Sequence, residues 1–86
     1  MTRWSIGRVR SVAPTPGSDC EAAFALHFQE DDQPDPQITI EYASGGGGKY
    51  ASAAHAKAAA ASYLDDERPP RRLLVDRAGN VHQRDS

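Results

Sequence analysis

Two short segments in the first half of the chain leave little freedom about the fold. In one, Phe24, Leu26 and Phe28 alternate with Ala23, Ala25 and His27; in the other, Ile38, Ile40 and Tyr42 alternate with Thr39 and Glu41. A period of two places every second side chain on one face of a strand, so each segment is predicted as a strand with one apolar side. Between them, Glu30-Asp31-Asp32-Gln33-Pro34-Asp35-Pro36 clusters carboxylates that repel one another and prolines that cannot donate to a ladder. That stretch reads as a solvated turn, and two strands joined by a short polar turn most simply pair antiparallel. Its acids lack the spacing and terminal glutamate of a calcium loop. A sheet with one apolar face needs a cover, and one segment of the chain is suited to supply it.

That segment is a helix predicted from roughly Ser52 to Asp65, with seven alanines for propensity and Ser52 as N-cap. At 100° per residue, Ala53, Ala56, Ala60, Tyr63 and Leu64 form the stripe that would face the sheet, and His55 and Ser62 fall on the opposite side. Pro69-Pro70 prevents continuation. A further strand is predicted before the first pair, over Trp4–Val12. Trp4 and Ile6 share one parity and Val9 has the other, and a bulge at Gly7-Arg8 would restore Val9 to the buried face and turn Arg8 and Arg10 outward. Ala13–Asp19, with Pro14, Pro16 and Gly17, reads as a loop. After the helix, Arg71–Asp76 reads as a strand, Ala78-Gly79-Asn80 as a turn and Val81–Gln83 as a short return strand.

The expected architecture is a single α+β domain over residues 1–86. It has two layers, with a mostly antiparallel sheet of three to five strands on one helix, in the order βββαβ with a possible short fifth strand. Its core would be Trp4, Ile6, Val9, Phe24, Leu26, Phe28, Ile38, Ile40, Tyr42, Tyr63, Leu64, Leu73, Val75 and Val81. Gly45–Gly48 have no side chain to pack and a high ordering cost, so residues 44–49 are expected to be a mobile loop.

The segment from about residue 50 onward, with its alanine-rich helix, Leu73-Leu74-Val75-Asp76-Arg77-Ala78-Gly79-Asn80-Val81 and the closing Asp85-Ser86, resembles a family of uncharacterised small bacterial domains. Members pair such a helix with a strand, a turn of the RDGRI type and a terminal Asp-Ser. The resemblance covers residues 50–86. Ala78 stands where the family usually has Asp, and the Pro69-Pro70 loop differs. It implies a strand–helix–strand layout and no particular chemistry.

Charge is distributed unevenly. Residues 1–18 hold Arg3, Arg8 and Arg10 and no acid; residues 19–41 hold seven acids and no base; the net charge of the whole is −2. Strand parity turns Arg8, Arg10 and Arg72 to the face away from the helix, where Ala25, His27, Gln37, Thr39 and Glu41 are also expected. Grouped arginines can meet carboxylates or phosphates bidentately, or they can pair with Glu41 and merely keep the face soluble. The glycine run before Lys49 departs from a nucleotide phosphate loop, since Ala43 stands where its first glycine belongs and Tyr50 where its Mg²⁺-binding hydroxyl belongs. A weak anion loop at Gly47, Gly48 and Lys49 is the remaining form in which that segment could act.

His27, His55 and His82 fall on different elements without ligand spacing, so no metal site and no cofactor are expected. Cys20, the single cysteine, sits between Asp19 and Glu21 and is expected to be unreactive. No nucleophile, base and orienter can be placed together, so the chain is not expected to be an enzyme. No apolar run reaches the roughly 18 residues that span a bilayer, and the first residues lack the apolar region of a secretory signal. The expectation is a bacterial, cytoplasmic, non-catalytic accessory or protein-interaction module. Its partner would be another protein or a second copy, with duplex DNA as the alternative ligand of the arginine face.

Overall fold

A computed structural model of the chain describes residues 4–29, 37–45, 49–65 and 70–84. The expected strand segments form β1 (Ser5–Val12), β2 (Cys20–Gln29), β3 (Gln37–Ala43), β4 (Arg72–Val75) and β5 (Val81–Gln83), and the helix is α1 (Ala53–Ala61). The five strands lie in the order β1-β2-β3-β4-β5 in one sheet. Neighbours pair antiparallel except β3 and β4, which run parallel with Thr39 opposite Arg72 and Tyr42 opposite Val75. A parallel pair needs a crossover between its strands, and α1 provides it. The chain is an α+β fold in which one helix packs on a mostly antiparallel sheet.

The ladder breaks where the strand parity of β1 requires it. Ile6 pairs with Phe28 and Arg8 with His27, leaving Gly7 as the extra residue. The bulge returns Val9, opposite Leu26, to the helix side. A Cβ at Gly7 would meet the Gln29 side chain at 2.8 Å, so a larger residue there would require that exposed side chain to move aside. A second irregularity lies between Cys20 and Ala22, bringing Ala22 opposite Tyr42.

Alternation of β2 and β3 builds the core. Leu26, Phe28, Ile38, Ile40, Tyr42, Leu73 and Val75 are buried together with Ala56 and Ala60. Trp4, Ile6, Val9, Phe24, Tyr63, Leu64 and Val81 pack around them half-buried. Edge-to-face ring pairs join Trp4 to Phe28, centroids 5.9 Å apart, and Phe24 to Tyr42, 5.8 Å apart. The helix lies across β1 and β2. Its small side chains let its backbone approach the sheet closely.

The helix differs from expectation in length and phase. Ser52 caps it, accepting from the His55 backbone N–H at 3.1 Å, but it ends at Ala61, with turns through Asp65. Asp65 therefore lies in the turns that follow the helix and not within it. Ala53 is exposed, whereas Ala59 and His55 are half-buried. The contact stripe is rotated by roughly half the 100° residue step from the one the pattern suggested. Seven near-identical methyl groups carry little information about which side is apolar, so the sheet and the flanking Tyr50 and Tyr63 set the phase.

The face away from the helix is also less open than its polar parity implies. Ala23 and Ala25 are buried, and Glu41 is only 1% exposed. Residues 13–19 fold back toward β3, where the Thr15 backbone N–H donates to Glu41 Oε2 at 3.0 Å and the Ser44 N–H donates to the Asp19 carbonyl at 3.2 Å. This long-range strap turns an outward-facing glutamate into a buried one.

Candidate functional site

On the sheet face away from α1, register places Arg8 beside His27, Arg10 beside Ala25, Ala25 beside Thr39, and Thr39 beside Arg72. Arg72 is drawn inward. Its Nη2 lies 2.7 Å from Glu41 Oε1 and 3.4 Å from the Thr15 hydroxyl. Burial pulls the Glu41 carboxyl upward, but the Thr15 backbone N–H, the Arg72 guanidinium and the Thr15 hydroxyl together outweigh it and hold Glu41 below its ordinary value. Arg72 thus serves the strap, pairing with Glu41.

Arg8 and Arg10 lie elsewhere. They sit on edge strand β1, both exposed, with β2 and β3 between them and Arg72. Three strand spacings of about 4.8 Å put that separation at roughly 14 Å. The structure therefore brings Arg8 and Arg10 together and keeps Arg72 apart from them. Among the described residues the Arg10 side chain makes no hydrogen bond or ion pair. Around the two arginines the surface is low, made of buried Ala25 and half-buried Thr39 and His27.

The glycine loop lies only partly within the described residues: Gly46, Gly47 and Gly48 fall outside them. Gly45 has φ +89°, and the Arg77 side chain packs against it while Arg77 Nε donates to the Ser44 carbonyl at 3.1 Å. Lys49 is exposed, its Nζ 5.7 Å from the Tyr50 ring centroid.

A second constellation, at the start of α1, was not anticipated from the pattern. His55 Nδ1 lies 2.8 Å from the Tyr42 hydroxyl, and its ring packs against Tyr50 with centroids 5.3 Å apart. Desolvation pushes the Tyr42 hydroxyl up to about 12, so it keeps its proton and is able to donate to His55 Nδ1. Tyr50 in turn rests on Gly79, where a Cβ would stand 2.9 Å from its ring. The turn beneath is built by Asp76. Its Oδ1 accepts from the Ala78 and Asn80 backbone N–H groups, each at 2.9 Å, and its Oδ2 lies 2.7 Å from His82 Nε2. The bond to His82 is the largest influence holding Asp76 below its ordinary value, followed by the bond from Asn80.

The sequence signal for this cluster was Tyr50 and His55 flanking the Ser52 cap, but which strand they would meet depended on the crossover. The His55 ring bonds to a tyrosine hydroxyl, and to no serine or cysteine among the described residues, so the cluster pins α1 to β3. Among the described residues no group of three His, Cys, Asp or Glu side chains is placed to hold a metal, and no helix is long and apolar enough to cross a membrane. Comparison of the chain with family models, curated proteins and solved structures returned no match.

Proposed function

We propose that the chain is a small non-catalytic interaction module whose partner-facing surface is the β1 end of the sheet face opposite α1. The observation that supports this reading is the placement of Arg8 and Arg10. They stand on the same side of one strand, roughly 7 Å apart by strand geometry, exposed and beside low neighbours. Two guanidinium forks at that spacing suit two carboxylates of an acidic protein surface. Phosphates of duplex DNA have the same charge, but the seven acids of residues 19–41 disfavour a polyanion.

The test compares the parent protein with Arg8→Ala/Arg10→Ala. Partners captured in cells are identified and then reconstituted with purified components, and binding to duplex DNA is measured in parallel at about 50 mM salt. The reading expects a purified acidic protein that binds the parent and not the double variant, with the melting temperature unchanged because both side chains are exposed. A partner retained by the double variant would remove the arginines from the interface. Binding of DNA lost in the double variant would replace the protein partner with nucleic acid.

A further inference from the structure

We propose that the outer edge of β1 receives an extended segment of an acidic partner as an added strand, paired along Arg8–Val12. This rests on the interaction-module reading and specifies how the partner docks. The sheet has two edges. β5 is 3 residues long and β1 is 8, so only β1 offers a ladder of useful length. Every second residue of an edge strand turns its N–H and C=O away from the sheet. Among the described residues, β1 has no backbone bond beyond its ladder with β2. The Gly7 bulge interrupts the edge on one side, leaving the regular run from Arg8 to Val12.

The side chains along that run specify the occupant. Arg8 and Arg10 project to one face, and Val12, 37% exposed, follows them there. Val9 projects to the other face and is half-buried beside the helix. Directly opposed residues on neighbouring strands share a face. A matching segment therefore carries carboxylates opposite Arg8 and Arg10 and apolar side chains opposite Val9 and Val12.

A second copy of β1 does not meet this requirement. Antiparallel self-pairing keeps the same faces together, so arginines would oppose arginines, and like charges directly opposite destabilise a sheet. Parallel self-pairing turns one sheet over and sets each arginine among the valine-side residues. Charge complementarity selects an acidic, alternating segment of another protein. An edge that is only guarded against aggregation by its bulge and its arginines would bind no such segment, which is the contrast the experiment exploits.

The probe is a synthetic peptide with Val-Thr-Glu-Val-Glu between polar flanks, its order set for antiparallel pairing. Binding is followed through the backbone amide resonances of the intact protein. Expected are shifts concentrated at Arg8–Val12 and absent from β5, and at least about tenfold weaker binding when the peptide amides that face β1 are N-methylated, since each lost backbone bond costs a factor of several. Arg10→Glu should weaken the glutamate peptide about five- to tenfold and strengthen a peptide with lysines in place of its glutamates. A peptide that leaves the β1 amides unmoved at millimolar concentration overturns the proposal. N-methylated peptide bound as tightly as the parent peptide also overturns it. If Arg8→Ala/Arg10→Ala still abolishes a reconstituted partner in that case, the interaction-module reading stands with side chains alone making the contact.

Discussion

Removing Arg72 should cost more stability than neutralising Glu41, although the two form one ion pair. Glu41 is 1% exposed, while the Arg72 side chain is 37% exposed. In Glu41→Gln the arginine can turn to water, the Thr15 N–H keeps an oxygen within reach, and the loss is the charge assistance of two hydrogen bonds, about 1–2 kcal/mol. In Arg72→Ala a carboxylate is left buried with the Thr15 backbone N–H and hydroxyl as its remaining support. Orphaning a fully buried charge costs about 3–5 kcal/mol, and because half-exposed Arg72 leaves a path for water, about 3 kcal/mol applies here. For a domain of this size each kcal/mol moves the melting temperature by about 4–8 °C, so Arg72→Ala should melt about 12–24 °C below the parent.

The pH dependence carries the sign. In the parent the folded Glu41 carboxyl lies below its ordinary value, so the pair contributes fully above the ordinary carboxylate range and loses that contribution as pH falls through the lowered value. Without Arg72, two of the influences that lower Glu41 are lost while burial remains, so its carboxyl lies higher than in the parent. The variant then has less pH-dependent stability to lose as pH falls. Urea unfolding followed by circular dichroism at pH 7 and near pH 4 should show the gap between parent and Arg72→Ala narrowing in acid. A gap independent of pH, or an Arg72→Ala variant more stable at pH 7 than Glu41→Gln, would refute the reasoning.

Leu26→Ala and Ile40→Ala each remove a side chain with 0% exposure and should cost about 2–5 kcal/mol, read as the loss of unfolding free energy in urea; a melt within a degree or two of the parent would mean the strand faces are misassigned. Gly79→Ala should destabilise by more than about 1 kcal/mol, because φ is +89° and the new Cβ would stand 2.9 Å from the Tyr50 ring. Gly17→Ala has a similar φ of +84° with nothing within 4 Å, so differential melting of the two variants isolates the steric part. Ser52→Ala removes the acceptor of the His55 N–H and should cost about 1 kcal/mol, visible as a lowered urea midpoint with the slope unchanged.

What the sequence disclosed and what it hid follow from the range of the forces involved. The faces of β2 and β3 were legible because large and small residues alternate without interruption, and the β1 bulge was legible because Val9 breaks the parity two residues after a glycine. The phase of α1 was not, since alanine methyls are nearly interchangeable; Ala53 and His55 exchanged places as a result. Burial of Glu41 was also hidden. Its position in the alternation is outward, and the strap that covers it is bonded across 26 positions of the chain. The arginine surface was half legible: parity gave the correct face for Arg8, Arg10 and Arg72, but strand order separated the first two from the third. The Tyr42–His55 bond depends on a crossover that local patterns do not encode.

The parallel join between β3 and β4 divides the molecule along a seam. On one side β1, β2 and β3 pair antiparallel in sequence order, with α1 lying over them. On the other, β4 and β5 form a hairpin closed by Asp76. The meander ladder runs from Cys20 to His27 along β3, whereas the seam is paired only from Thr39 to Tyr42. Its strands are distant in the chain, so it closes only after the crossover is in place. Cooperative opening of a protein follows such boundaries. The hairpin is consequently the unit able to detach while the meander persists, and the amides of Leu73 and Val75 would then exchange with solvent through an event smaller than global unfolding. The Arg72–Glu41 pair and the bond from Arg77 Nε to the Ser44 carbonyl both span that seam, so side chains from the hairpin add to the short ladder that fastens the two halves.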